Sequence, residues 1–382
     1  MSSRRLLFIV NDAAFFISHR LPLAIAARDN GFEVHVATPE AKASTKIKDA
    51  GFIFHAIPLS RSGKNPVNEL KSLMALYRLM RQVKPDLVHL VTIKPIIYGG
   101  LVARILRVPA VVAAVSGLGY IFTSNRLSSK VLRTGVTQLY RLALGHAHLK
   151  VIFQNPDDRE LFLQNKTCSP SQTVIIRGSG VDLMTYKASP ERIDKTVVVM
   201  ISRLLKDKGV FEYVAAAKML KAEGSTARFL LVGDSDEGNP AFIDKFLLEQ
   251  WQREGIVELL GFREDVAQLI EQANLVVLPS YREGLPKVLV EAAACGRAVI
   301  TTDVPGCRDA IEPNHTGLLV PVRNSYALAE AMKQLIDDAA YRQQLGRAGR
   351  LLAEREFAIE RIVAAHMKVY HELRLLIQGY AS

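Results

Sequence analysis

Short apolar runs recur along the chain, each followed by a stretch whose apolar residues stand three and four apart. In the first half, residues 6–10, 33–38, 87–91, 108–115 and 150–153 read as strands, with helices predicted over 19–29, 67–82 and 95–106. The second half repeats the pattern, with strands at 196–201, 228–232, 257–260, 275–278 and 298–302. These runs are almost continuously apolar rather than alternating, as expected of strands buried on both faces. Strands of that kind alternating with helices predict parallel sheets covered on both sides, an α/β class. Arg177-Gly-Ser-Gly-Val-Asp182, followed by Ser189-Pro190, reads as a linker. The expected division is a first Rossmann-like domain over 1–185 and a second over 190–361. A mostly helical tail covers 327–378, and its last helix, about 362–382, is expected to pack back on the first domain. Ligands of such sheets bind outside the carboxyl ends of the strands, so both domains are expected to offer those ends to one cleft.

With 382 residues the chain is long enough for two cores. Three cysteines, Cys168, Cys295 and Cys307, have no metal-type spacing and point to a reducing compartment. The apolar run after Arg4-Arg5 is short and meets Asn11-Asp12, which makes it a buried strand rather than a signal peptide. The longest uncharged run, between Arg107 and Arg126, is interrupted by Ser116, Gly117, Gly119, Thr123 and Ser124 and reads as a strand and a loop. Charge is divided unevenly. Residues 1–190 hold 25 Lys and Arg against 11 Asp and Glu, a balance of +14, whereas residues 191–382 hold 24 against 27, or −3. Such asymmetry implies an anionic partner for the first half, a membrane surface or nucleic acid. Aromatic residues make up only 7% of the chain and no nucleic-acid module is recognisable, which disfavours nucleic acid. Two basic amphipathic segments fit an anionic bilayer. One carries Lys64, Lys71, Arg78, Arg81 and Lys84, the other Arg126, Lys130, Arg133, Arg141 and Lys150. Ordinary solvated helix faces give the same pattern.

Candidate chemistry gathers in the second half. Glu283 and Glu291 lie in Ser280-Tyr-Arg-Glu-Gly-Leu-Pro-Lys-Val-Leu-Val-Glu, directly after a predicted strand. The Gly284-Leu285-Pro286 turn puts the first acid on a loop and the second on the helix that follows. A helix N-terminus favours an anion, and a carboxylate on each side can bind hydroxyl groups, which suits a sugar nucleotide. Arg203 and Lys208 also follow a strand and open a helix, where two cations can clamp a diphosphate. Gly233 and Gly261-Phe262-Arg263 end two further strands. Asp234-Ser235-Asp236 has the form of a metal-binding pair but sits in a polar turn, and no metal site is expected.

Taken together, Ser202-Arg203…Lys208-Gly209, Val232-Gly233, Leu260-Gly261 and Glu283-Gly-Leu-Pro…Glu291 resemble the retaining glycosyltransferases of family 4, which have the GT-B fold. The resemblance covers essentially the whole chain. It implies that Glu283 contacts hydroxyls of the donor sugar, Glu291 the ribose, and Arg203 and Lys208 the diphosphate. It further implies that the N–H groups of Gly284 and Leu285 cradle phosphate and sugar, and that Phe262 and Arg263 hold the base. No cofactor or divalent metal is implied. Phe15-Phe-Ile-Ser18-His19-Arg20, Val88-His89-Leu-Val-Thr-Ile-Lys94-Pro95 and Ser116-Gly117-Leu118-Gly119 resemble one subgroup. Its members add sugars to undecaprenyl-diphosphate-linked acceptors in bacterial O-antigen, capsule or N-glycan assembly. That resemblance implies a UDP-sugar donor (an N-acetylhexosamine by preference), a lipid-linked saccharide acceptor, and a peripheral place on the inner face of the cytoplasmic membrane. Ser18, His19, Lys94, Gly117 and Gly119 then fall on the acceptor side. Many family members have a histidine where this chain has Ser116-Gly117, so a role built on that residue does not carry over. His19, expected on the loop after the first strand, is the remaining imidazole. Alternatives are another GT-B enzyme, such as a nucleotide-sugar epimerase or a phosphorylase, and a basic nucleic-acid-binding protein. A Rossmann dehydrogenase lacks support, since no Gly-x-Gly-x-x-Gly follows the first strand.

Overall fold

The computed structural model describes residues 4–59, 65–117, 127–236 and 238–379, and for 127–133 and 378–379 the backbone alone. The chain forms two compact units, Met1–Ser179 with Glu360–Ser382, and Gly180–Ile359.

Unit 1 is built on β1 (Arg4–Val10), β2 (Phe32–Thr38), β3 (Ile53–Ala56), β4 (Leu87–Val91), β5 (Ala110–Val115), β6 (Leu149–Phe153) and β7 (Thr173–Ile175). The described strands form one sheet in the order β3-β2-β1-β4-β5-β6-β7, every pair parallel. Strand order reverses between β1 and β4, so the loops after these two strands diverge and open a crevice at the carboxyl edge. Helices α1 (Ala13–His19), α2 (Leu21–Asp29), α3 (Ser44–Asp49), α4 (Pro66–Val83), α5 (Gly100–Ile105), α6 (Leu127–Ala143) and α7 (Pro156–Gln164) connect the strands. All of β4 and β5 is buried; β5 is apolar throughout, and β4 is apolar apart from His89. Apolar clusters lie on both faces of the sheet. One joins β1, β4 and β5 to α4, α5 and α6, and the other takes Ile362, Val369, Tyr370 and Leu373 from the chain's last helix, Ile359–Gly379.

Unit 2 repeats the plan with β8 (Val197–Ile201), β9 (Arg228–Val232), β10 (Glu258–Gly261), β11 (Leu275–Leu278), β12 (Ala298–Thr302) and β13 (Gly317–Val320). Their order is β10-β9-β8-β11-β12-β13, again all parallel, with the reversal between β8 and β11. Helices α8 (Val210–Ala222), α9 (Lys245–Arg253), α10 (Val266–Gln272), α11 (Lys287–Ala294), α12 (Ser325–Asp337) and α13 (Ala339–Leu352) cover the sheet, and the last helix of the chain is α14. Two glycines let the loops close on the strand ends. Gly209 (φ +77°) packs on the Pro279 carbonyl and Gly233 (φ +131°) on the Ser202 carbonyl, each so tightly that a Cβ would collide with backbone.

The structure departs from the sequence expectations in particular places. β3, β7 and β13 were not among the predicted strands; each is short and lies at a sheet edge, and β3 and β7 are partly exposed, which leaves them a weak apolar pattern. His19 was expected on a loop and at the start of a helix, but it is the last residue of α1. Asp12 starts that helix earlier by accepting the Phe15 N–H at 3.0 Å. Pro22 helps end it, since it lacks the N–H that would bond the Ser18 carbonyl. The helix expected over 95–106 begins as a π-turn, Pro95–Gly99, before α5.

Candidate active site

In unit 2 Arg203, Lys208, Glu283, Gly284 and Leu285 come from the loops that follow β8 and β11, the two strands flanking the reversal, while Glu291 lies on α11, Gly233 follows β9, and Phe262 and Arg263 follow β10. Glu283 stands at the centre. The Lys208 ammonium donates to its Oε1, and Ser280 Oγ donates to the same oxygen at 2.7 Å. Both members of the pair are largely buried, with side chains 17% and 14% exposed, which orients the carboxylate. The loop itself is fixed by the Glu283 N–H bond to the Pro305 carbonyl (3.1 Å) and by Thr302 Oγ1 donating to the Ser280 carbonyl. Cys307 is fully buried behind it. Burial, and then the charge of Glu283, push its thiol up to about 12, so it is a neutral wall and not a nucleophile.

Glu291 lies one turn into α11 and is buried. Tyr186 donates to its Oε1 at 2.6 Å, and Lys287, one helical turn back, pairs with the same oxygen at 3.1 Å. Burial and the Glu291 charge raise the Tyr186 phenol well above its ordinary range, so it remains a donor. Between the two acids, Gly284 and Leu285 are buried and Leu285 belongs to the apolar core. No side chain caps α11, whose first turn carries N–H groups lacking intrahelical partners.

Arg203 is turned toward Asp236, with Nη1 to Oδ2 at 3.1 Å. A pair this exposed is worth at most about 1 kcal/mol, so it does not hold the guanidinium against an incoming phosphate. The Asp-Ser-Asp turn is thereby absorbed into structure. Asp236 pairs with Arg203, Asp234 Oδ1 accepts the Phe262 N–H at 3.1 Å, and Ser235 donates to the Ile243 carbonyl at 2.7 Å. Among the described residues, no three His, Cys, Asp or Glu side chains form a metal-binding group. Phe262 projects outward, 67% exposed, while Arg263 forks onto Asp265 with Nε–Oδ1 at 2.8 Å. Gly233 has a packing role: its N–H is spent on the Gly261 carbonyl at 2.8 Å.

In unit 1 the predicted residues lie near the corresponding reversal. The Lys94 ammonium pairs with Glu69 Oε1 at 2.6 Å, and Tyr98 donates to Glu69 Oε2 at 2.8 Å. Thr92, two residues before Lys94, has φ +75°, a costly conformation for a β-branched residue and one that concentrates at functional sites. Its Oγ1 and Ser116 Oγ are buried without a partner among the described residues. Gly117 (φ +112°) follows β5, and Gly119 lies outside the described residues. At the end of α1 the exposed Ser18 places Oγ 2.7 Å from His19 Nδ1, and the His19 ring stacks on Phe15 with centroids 4.0 Å apart and planes at 7°.

Several contributors escaped sequence reasoning. Tyr186 meets Glu291 from 105 positions away, with no local signal. Asp236 was read only as a solvated turn. Glu69 had a signal, being the sole acid between Asp49 and Asp86 in a basic stretch.

Two family models match the chain, one described as glycosyl transferase 4-like over residues 5–155 and one as glycosyl transferases group 1 over residues 185–352. Among curated proteins, the N,N'-diacetylbacillosaminyl-diphospho-undecaprenol alpha-1,3-N-acetylgalactosaminyltransferase of Campylobacter jejuni is 31% identical over 356 residues, 90% of this chain and 92% of the relative. The UDP-Gal:alpha-D-GlcNAc-diphosphoundecaprenol alpha-1,3-galactosyltransferase of Escherichia coli is 24% identical, covering 80% of this chain and 81% of its own. Among solved structures, HepE of Anabaena in complex with UDP superimposes with a TM-score of 0.76 at 21% identity, covering 97% of this chain and 100% of that one. Sucrose-phosphate synthase from Thermosynechococcus elongatus gives 0.79 at 22%, over 98% and 100%. The two parallel sheets thus form a GT-B fold, and the chain is a member of the group 1, family 4-like glycosyltransferases.

Proposed function

We propose that the protein moves an N-acetylhexosamine from a UDP-sugar to a saccharide carried on undecaprenyl diphosphate, with retention at the anomeric carbon. The observation that carries this reading is the clamped carboxylate of Glu283, fixed by Lys208 and Ser280 beside the uncapped start of α11, with Glu291 buried further along. Glu283 orients the donor sugar, and Glu291 takes the ribose hydroxyls. As UDP departs, Arg203, Lys208 and the first N–H groups of α11 neutralise the charge growing on the β-phosphate. The acceptor hydroxyl attacks from the face the leaving group vacates, and a phosphate oxygen of the donor takes its proton. No metal ion is needed in this scheme, and transfer is expected to persist in EDTA.

Acceptor and linkage are inferred from the relatives, whose names give undecaprenyl-diphosphate-linked sugars as acceptors and α-1,3 linkages as products. An acceptor anchored in a bilayer requires a membrane-facing surface. Helix α4 supports one: its buried side holds Leu76, Leu79, Met80 and Val83, while Val67, Leu70 and Met74 form a second apolar row that is exposed. Lys71, Arg78 and Arg81 accompany that row, also exposed. Nearby, Ile105 on α5 and Leu142 on α6 are exposed beside Arg104 and Arg141. No described helix is long and apolar enough to cross a membrane, so the proposed association is peripheral, on the cytoplasmic face.

The deciding experiment presents UDP-N-acetylgalactosamine, UDP-N-acetylglucosamine, UDP-galactose and UDP-glucose with undecaprenyl diphosphate carrying one N-acetylhexosamine. Mass spectrometry reads the product and NMR its anomeric configuration. An α-linked disaccharide from an N-acetylhexosamine donor is expected. Epimerised or merely hydrolysed donor, or a β-linked product, would overturn the proposal.

A further inference from the structure

Unit 1 buries a group of ionisable side chains that the proposed chemistry leaves unused. Arg20, between α1 and α2, is 2% exposed and has no carboxylate partner among the described residues. Its Nη1 donates to the His19 carbonyl at 2.9 Å, at the C-terminal end of α1, where a cation also suits the helix dipole. Its charge is felt by His89 in the middle of β4 and by Tyr370 and His366 on α14, all at most 2% exposed. The Tyr370 hydroxyl and His89 Nδ1 lie 2.6 Å apart. His89 is stacked between Phe8, with centroids 5.1 Å away, and His366, at 6.0 Å. His366 Nδ1 donates to the Ile362 carbonyl at 2.8 Å, which leaves its Nε2 as an acceptor. Arg20 Nε, His89 Nε2 and His366 Nε2 are buried without a hydrogen-bond partner among the described residues.

Apolar residues of similar volume fill a core at least as stably as buried charges do. What buried polar groups add is fixed geometry where they are paired, as Tyr370 is with His89 and His366 with the Ile362 carbonyl. Among the described residues the Arg20 side chain donates to the carbonyl of His19, whose ring is held in turn by Phe15 and Ser18. We propose that Arg20, backed by His89, Tyr370 and His366, is the positioning residue for His19, and that α14 sets the acceptor-side imidazole through it. The inference rests on the acceptor-side reading of His19.

A double-mutant cycle tests it, using full-length protein and the acceptor that supports transfer in the panel above. Tyr370→Phe removes one oxygen. It is expected to lower acceptor kcat/KM about tenfold, a coupling-sized effect. The thermal shift produced by UDP, a readout of the donor unit, should stay at the wild-type value. His19→Ala should lose more, and the double variant no more than His19→Ala alone. If the two losses multiply, the side chains act independently and the positioning role is wrong. A normal rate in Tyr370→Phe beside a crippled His19→Ala overturns the positioning role alone, whereas wild-type transfer by His19→Ala overturns the acceptor-side reading of that residue. Should Tyr370→Phe fail to fold, His366→Gln replaces it with the same expectations.

Discussion

The two units share a strand order but spend their polar side chains differently. Unit 2 brings charge to the loops after its strands, where Lys208 pairs with Glu283 and Arg203 with Asp236. Unit 1 sends much of its ionisable chemistry inward. Eight of the nine histidines fall there, and His89 and His366 are fully enclosed with Arg20. A common backbone plan therefore fixes where a ligand can sit, at the reversal of strand order, while the side chains decide what it does there.

The sharpest way to break this contrast is to remove charge from the edge of unit 2. Glu283→Ala and Lys208→Ala are each expected to cut kcat by roughly 100- to 1000-fold, the size of effect seen when a preorganised electrostatic partner is lost. Steady-state kinetics with saturating donor reads it. Near wild-type turnover in both variants would mean that the clamp is only structural. Glu291→Ala should instead act mainly on donor KM.

A second difference is surface charge. Exchanging Lys71, Arg78 and Arg81 on α4 for glutamine removes three basic residues beside the exposed apolar row. At about 1 kcal/mol each near an anionic surface, vesicle affinity should fall roughly 100-fold. Flotation with phosphatidylglycerol vesicles measures it. Exchanging Lys218 and Lys245 of unit 2 should leave flotation unchanged; equal losses from both sets would refute a face specific to unit 1.

Acid sharpens the contrast further. Burial, reinforced by the Arg20 charge, holds the His366 pKa down at about 3, and that of His89 well below its ordinary value. An unfolded histidine titrates near 6.5, so below that pH the unfolded chain binds protons that the folded unit refuses. Stability is therefore intact above about pH 6.5 and falls as pH drops toward 3, by about 1.4 kcal/mol per pH unit for each such histidine. In unit 2 the sole histidine, His315, is exposed, and shifted carboxylates such as Glu258, bonded to Arg228, are displaced downward. Melting between pH 7.5 and 5.5 should show the loss, and His366→Gln should flatten it. An unchanged slope in that variant would place the acid sensitivity elsewhere.

How much was legible in the sequence follows the same division. β5 and β11 announce themselves because every residue is apolar and buried. β3 does not, since its residues are partly or fully exposed at the sheet edge. Glu283 and Glu291 were readable as an acid pair because eight positions and a Gly-Leu-Pro turn are local information. Their partners were not: Lys208 and Tyr186 reach them across 75 and 105 residues, distances that only the folded sheet closes. His19 was misplaced for a local reason, the Asp12 cap, which opens a helix before the segment looks helical.

The smallest expected effect tests the finest part of the contrast, the asymmetry between the two acids of unit 2. Tyr186→Phe deletes the hydroxyl that donates to Glu291 Oε1 at 2.6 Å, but Lys287 still pairs with that oxygen at 3.1 Å. One neutral-to-charged hydrogen bond is worth about 1.5–3 kcal/mol, and the remaining cation offsets part of it. Donor KM should therefore rise only about three- to tenfold, less than in Glu291→Ala. Turnover at saturating donor should stay near wild type, because a ribose bound by Glu291, as proposed, is held alike in ground and transition states. Initial rates against donor concentration separate the two parameters. A fall in kcat with donor KM unchanged would show that Glu291 acts on the reacting sugar, and the division of labour between the acids would have to be reversed.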